Sequence, residues 1–390
     1  MSASKTIKML SRLLCTALLF GPTIAFANEG YDLNLQPGVT EVSQMQFDLH
    51  MLVLWICTIA GIGVFAVMIY SIIAHRKSKG AVAAQFHEST TVEVIWTVIP
   101  FAILVAIAVP ATKGLLLLES NDKADVNIKV TGIQWKWEYD YIDEDGVKFI
   151  SQLPAAHEEA RKLKSGADVT KIEHYLLDVD NPATPDILDD GYIVVPEKKR
   201  VRLLITAKDV LHAWWVPALG VKRDAIPGYI NESWFYAEGP GIYRGQCAEL
   251  CGKDHGFMPI VVKVVSQADY ADWIKTQKSA ASASAAADTQ TFTMDELMKR
   301  GEQVYNSSCA ACHQANGAGI PGVFPGIKDS PIAKGDVAGH IDIVANGKPG
   351  TAMQGYKSQM SKADLAAVIT FERNAFGNNV GDMVQPIDIK

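Results

Sequence analysis

The chain has 390 residues, more than one ordinary domain needs, and 43 acidic against 36 basic side chains give it a net charge of −7. That balance lacks the basic face a nucleic-acid partner requires, so a chain of two or three modules with no nucleic-acid partner is expected. With only six cysteines in the chain, the position of each one is informative.

The N-terminus, "MSASKTIKMLSRLLCTALLFGPTIAFANEG", has a basic start (Lys5, Lys8, Arg12), a short apolar run and the small-x-small pattern Ala25-Phe26-Ala27. This reads as a signal peptide over residues 1–27 with the mature protein beginning at Asn28. The run is short for a third membrane anchor and is broken by Gly21-Pro22; Cys15 would be lost with it. Residues 28–120 read as a transmembrane hairpin, with helices at about 48–75 and 92–118 long enough to cross a bilayer. Between them, "HRKSKG" (75–80) belongs in the cytoplasm by the positive-inside rule, which leaves both ends outside, in agreement with the signal peptide. Cys57, inside the first span, reads as a small apolar packing residue. Glu93 opens the second span on the cytoplasmic side, as an interfacial flank or a functional acid.

Residues 121–275 change texture to short β-type runs separated by Gly, Pro and Asp: "VNIKVTG", "QWKWEYDY", "GYIVV", "RVRLLITA", "ESWFYA", "GIYRGQC" and "MPIVVKVV". They read as a Greek-key sandwich or barrel. Trp135, Trp137, Tyr139 and Tyr141 alternate onto one strand face, where packing is the default role. A charged, helix-prone stretch at 155–175 reads as an insertion between strands. Its His157 and His174, like His50, His75, His87 and His340, read as surface or interface residues. An Ala/Ser tract follows, and residues 276–291 read as a linker spanning roughly 20 Å root-mean-square if flexible. Residues 292–390 form a helical module whose last helix opens with Ser361 and Asp364, a capping-box-like signal.

Everything after about Glu119 is thus placed in an oxidising compartment, where spare thiols tend to pair. The four cysteines there form two close pairs with histidine nearby. "CAACH" has the C-x-x-C-H spacing of covalent c-type haem, in which Cys309 and Cys312 bond the vinyl groups and His313 is carried under the iron. A redox dithiol or half a zinc site would also use the thiols, but an exported helical module favours haem. Met353, in the Gly-rich "GKPGTAMQGY", is the candidate sixth ligand, with Met360 as its competitor.

The other pair lies in "GQCAELCGKDHGFMPI". A disulfide would leave His255 and Met258 unexplained, a Cys2His2 zinc site would leave the Met idle, and a mononuclear blue-copper centre wants one Cys. With His212 from "DVLHAWWVP", two thiolates and two imidazoles suit a pair of coppers, each sulfur able to bridge both metals.

Together with "DVLHAWWVPALGVKRDAIPG", this motif strongly resembles subunit II of haem-copper cytochrome c oxidases, from the first membrane helix to about Trp273. The appended C-x-x-C-H module is similar to the caa3 branch, which fuses a cytochrome c to subunit II. The resemblance implies a two-helix hairpin, an all-β cupredoxin-like domain and an all-α class I cytochrome c domain. It implies binuclear copper A held by His212, Cys247, Cys251, His255, Met258 and the Glu249 carbonyl, with the Glu249 carboxylate facing a magnesium shared with the catalytic subunit. It also implies that electrons enter at Trp135 and that Glu93 serves proton uptake. The 155–175 insertion departs from the family pattern.

The expected role is the electron-input subunit of a proton-pumping terminal oxidase in a bacterial inner membrane, both redox modules facing the outer side. Electrons would pass from cytochrome c or a quinol–cytochrome c reductase through haem c and copper A to catalytic subunit I, which reduces O2 to water. Alone the chain would not reduce O2. Two other readings are a membrane-tethered copper-delivery module, for which a covalent haem has no use, and an electron-transfer subunit of another reductase.

Overall fold

A computed structural model describes residues 34–83, 85, 87–120, 122–152 and 191–390. The expected signal peptide and the 155–175 insertion, with His157 and His174, lie outside these residues. Residues 34–37 carry no regular structure, and Gly38–Lys390 form one connected unit.

Two long apolar helices come first, α1 (Glu41–Ala74) and α2 (Thr90–Leu118). Thr40 and Ser43 close a capping box around the start of α1, which extends it several residues beyond the expected membrane span. Pro100 and Pro110 lie inside α2, as membrane helices tolerate. Where the helices meet, Gly114 lies against Met45; a Cβ there would come within 2.5 Å of the Met45 sulfur. Their apolar side chains otherwise face outward, as suits lipid or neighbouring subunits.

Ten strands follow among the described residues: β1 (Val126–Ile133), β2 (Lys136–Tyr141), β3 (Lys148–Ser151), β4 (Ile193–Pro196), β5 (Arg200–Ala207), β6 (His212–Val216), β7 (Val221–Ala225), β8 (Asn231–Tyr236), β9 (Gly241–Cys247) and β10 (Pro259–Val265). They make two five-stranded sheets, ordered β3-β2-β1-β5-β8 and β4-β10-β9-β6-β7. The β1–β5 and β4–β10 pairs are parallel and the rest antiparallel, giving the expected cupredoxin-like sandwich. Ile128, Val130, Leu203, Ile205, Ile260 and Val262 fill the space between the sheets. Two buried polar tips are satisfied across it: Trp214 Nε1 donates to the Tyr139 hydroxyl at 3.2 Å, and the Tyr141 hydroxyl donates to the Val194 carbonyl at 2.8 Å.

The sandwich grips both membrane helices at their outer ends. Thr40 Oγ1 donates to the Leu219 carbonyl and Gln46 Nε2 to that of Gly220, both at 3.0 Å. Trp234 Nε1 donates to the Leu118 carbonyl at 3.2 Å, and Arg200, lying over the Trp234 ring at 3.6 Å, donates to Ser120 O at 2.7 Å.

The expected flexible tract instead continues a helix, α3 (Gln267–Ala287). Alanine has the highest helix propensity, Ser266 caps the N-terminus, and the first turns bury Trp273 against Tyr141 and Phe149. Lys278 then pairs with Glu144 at 2.7 Å. Beyond it lie α4 (Met294–Ser308), the single turn α5 (Ala310–His313), α6 (Val337–Asn346) and α7 (Lys362–Asn374). Ser361 caps α7 through the Asp364 amide at 3.0 Å. Helices α4 and α7 cross where Gly301 packs on the Ala367 carbonyl and Phe371, beside the ring cluster Tyr305, Phe371 and Phe376.

Candidate metal centres

One cluster forms at an end of the sandwich where β6 begins and β9 ends. Residues Trp214 and Cys247 are register partners, which brings His212 beside the Cys247 thiol. His212 starts β6, and its ring lies against Gly132 of β1, where a Cβ would come 2.7 Å from Cδ2. The loop after β9 supplies Glu249, Cys251, His255 and, just before β10, Met258.

The Cys247 and Cys251 sulfurs stand 3.8 Å apart, far beyond a disulfide bond, and both cysteines are free. His212 Nδ1 is 4.0 Å from Cys247 Sγ, His255 Nδ1 3.5 Å from Cys251 Sγ, Met258 Sδ 3.5 Å from Cys251 Sγ, and the Glu249 carbonyl 3.3 Å from Cys247 Sγ. All six expected donors therefore converge, and the ligand atoms of His212, Cys247 and Cys251, all buried, lie within 4.8 Å of one another. The two thiols share a hydrogen bond, which pulls Cys247 well below the ordinary thiol range and, with burial, pushes Cys251 up. Burial opposes charge on His212, but its bonds to Asp209 and Cys247 outweigh that and raise its pKa. Asp209 Oδ1 holds His212 Nε2 at 2.9 Å, leaving Nδ1 facing the sulfurs. Soft sulfur donors beside imidazoles fit copper, and a carboxylate behind the histidine is the outer support such a ligand needs.

A second centre is a cavity of about 370 Å³ lined by Cys309, Cys312, His313, Met353 and Phe324 of the helical module. His313 Nδ1 donates to the Pro325 carbonyl at 2.8 Å, which fixes the ring and leaves Nε2 free for iron. Met353 lines the cavity, in a loop closed by the Lys348 amide donating to its carbonyl at 2.8 Å, whereas Met360 packs in the helical core outside the lining. An apolar cavity with both thiols, a prepared imidazole and a thioether fits haem c.

The sandwich covers the mouth of this cavity with Trp135 and Lys136. Lys253 Nζ donates to the Ala311 carbonyl at 3.2 Å, Lys208 Nζ to Ser358 Oγ at 3.0 Å and Gln152 Nε2 to the Ser307 carbonyl at 2.7 Å. Trp135 departs from the expected strand face: β2 begins at Lys136, and Trp135 lies in the preceding turn, half-buried. From there its Nε1 donates to the Cys251 carbonyl at 3.2 Å while its ring lines the haem cavity.

Comparison with known proteins follows this geometry. The family model described as "Cytochrome C oxidase subunit II, periplasmic domain" matches residues 126–265, and the one for its transmembrane domain matches 28–113. A "Probable cytochrome c oxidase subunit 2" of Rickettsia bellii is 37% identical over 266 residues, covering 68% of this chain and 91% of the relative. The chain belongs to the cytochrome c oxidase subunit II family.

Within that family, the subunit 2 of Cereibacter sphaeroides is 37% identical over 244 residues, covering 62% of this chain and 78% of that one. A crystal structure of the periplasmic domain of subunit II from Bradyrhizobium japonicum is 42% identical, covering 41% of this chain and 98% of that one at a TM-score of 0.32. Residues 296–371 match the model described as "Cytochrome C oxidase, cbb3-type, subunit III", so a cytochrome c domain is fused behind the subunit II body. Copper A and haem c are the groups that these two families carry, and the chain is a membrane protein that associates with other oxidase subunits.

Glu93 is in the first turn of α2 with its side chain exposed, and the Glu249 side chain is exposed beside the copper cluster. His340, expected as a surface or interface residue, is 2% exposed, lines the haem cavity and bonds Glu372 at 2.9 Å. Its position on α6, followed by the loop that returns Met353, folds it inward. Sequence reading also missed Asp209, although its placement three residues before His212 was a usable signal, and Lys136, for which no local signal exists.

Proposed function

We propose that this subunit carries electrons from a donor into a terminal oxidase through haem c and then copper A, to catalytic subunit I, where O2 is reduced with proton pumping. The observation that carries the order of the two centres is Trp135, which touches the haem cavity on one side and the Cys251 carbonyl on the other. In this reading Cys247, Cys251, His212, His255, Met258 and the Glu249 carbonyl would hold the copper pair. Cys309, Cys312, His313 and Met353 would hold haem c in the cavity they line. Bound copper and haem each supply a one-electron couple. Asp209 holds His212 in the ligating tautomer, and the Pro325 carbonyl does the same for His313. Trp135, placed between the centres, is where electrons enter the copper side.

The exposed Glu249 carboxylate would reach a magnesium shared with subunit I, and Glu93 would serve proton uptake at the cytoplasmic side. A bacterial inner membrane, with both redox modules on the outer side and cytochrome c or a quinol–cytochrome c reductase as donor, fits the basic loop at 75–80. The test is electron paramagnetic resonance of the purified oxidised protein. One unpaired electron shared over two copper nuclei is expected, together with a low-spin c-type haem; a single-copper spectrum would sink the reading.

A further inference from the structure

The haem cavity is lined by both modules, and among the residues that the copper-side module places there is a buried cation. Lys136 opens β2, lines the cavity, and is only 5% exposed. Its ammonium lies 4.8 Å from the centre of the Tyr356 ring, which belongs to the helical module. Among the described residues no carboxylate lies within ion-pair distance of it. The acids nearby are engaged elsewhere: Glu138 with Lys148 and Lys208 at 3.2 and 3.4 Å, Asp254 with Lys253 at 3.5 Å, and Glu372 with His340 at 2.9 Å. A buried cation without a counter-ion, facing the space of a redox group, acts on that group's charge.

We propose that Lys136 is a potential-setting residue of the haem, its ammonium strengthening the haem's hold on an electron while the two modules are docked. The inference rests on reading the cavity as the haem site. Reduction removes one positive charge from the iron, so a nearby fixed positive charge favours the reduced form. The balance is one electron in from the donor and one out to the copper pair, with no bond made or broken. Burial lowers the lysine's pKa to about 8, with Lys208 and Glu138 as charged neighbours; the Cys309 and Cys312 thiols also act on it until haem attachment converts them to thioethers. Its charge, and with it the haem potential, should therefore fall as pH rises through that range.

The experiment is an optical redox titration of haem c in the purified, membrane-extracted oxidase, for wild type, Lys136→Met and Lys136→Arg, between pH 6.5 and 9.5. Haem attachment and copper content are measured first on wild type; if either group is missing there, the haem-and-copper reading fails independently of Lys136. At pH 6.5, Lys136→Met should shift the reduction equilibrium at least threefold toward the oxidised form, about 28 mV at 59 mV per decade. Lys136→Arg should stay within threefold of wild type and lose the decline toward alkaline pH. A smaller shift in Lys136→Met, or an equal loss in Lys136→Arg, overturns the proposal. Should Lys136→Met fail to assemble, Lys136→Gln takes its place, and a potential in that variant equal to wild type overturns the proposal as well.

Discussion

Asp209 shows how much of the candidate copper cluster depends on a side chain outside the expected ligand set. Its carboxylate bonds His212 Nε2, the Gln134 amide at 2.7 Å and the Val210 amide at 2.7 Å. These bonds outweigh the opposing effect of burial and keep it below the ordinary carboxylate range. Asp209→Asn should leave the fold intact but weaken copper retention about 10–100-fold, read as release to a competing chelator. The candidate ligands were legible in the sequence because five of the six lie within a dozen residues, at spacings that suit a soft metal pair. Asp209 and Lys136 were not, for different reasons. A carboxylate beside a strand is usually a solvated turn residue. A lysine at an outward-facing strand position is buried here only because another module covers it, and no alternation pattern contains that module.

The elements followed their sequence signals where one period dominated. The membrane helices, the β-runs and the Ser361-capped helix all formed, whereas β3, β6 and β7 were too short to register as runs of their own. β2 departs from a one-sided strand: Trp137, Tyr139 and Tyr141 fill the core, yet Lys136 and Glu138 are buried on the other face. The α4–α7 crossing is the tightest contact in the helical module, because Gly301 brings two backbones together without a side chain between them. Gly301→Val should force the helices apart and leave Tyr305 and Phe371 poorly packed. Fewer than half of the chains should then carry haem, measured as covalent haem per protein, while the copper signal survives.

At the level of the molecule, the Ala/Ser tract changes the account of why a cytochrome is fused here. A flexible tether would raise encounter frequency; a helix docked by Trp273 and Lys278, continued by Asp288 accepting from the Ala363 amide at 2.9 Å, holds the haem cavity against Trp135. Replacing residues 279–290 with a Gly/Ser segment of equal length should slow haem-to-copper transfer several-fold in single-turnover optical kinetics, with both spectra unchanged. A rate equal to wild type would return the segment to the role of a simple tether. Composition hid this, because alanine and serine mark linkers and helices alike and only the docking partners decide. The grip on the membrane helices reaches further. Helix α1 has 34 residues, about 50 Å at ~1.5 Å per residue, against a hydrocarbon core of about 30 Å. Its first turns thus stand clear of the lipid, fastened at Thr40 and Gln46, while α2 is fastened at Leu118. A bilayer that thins or thickens cannot be met by letting the helix ends slide independently; the hairpin leans as one piece, and the metal cluster rides with it like a mast on a keel.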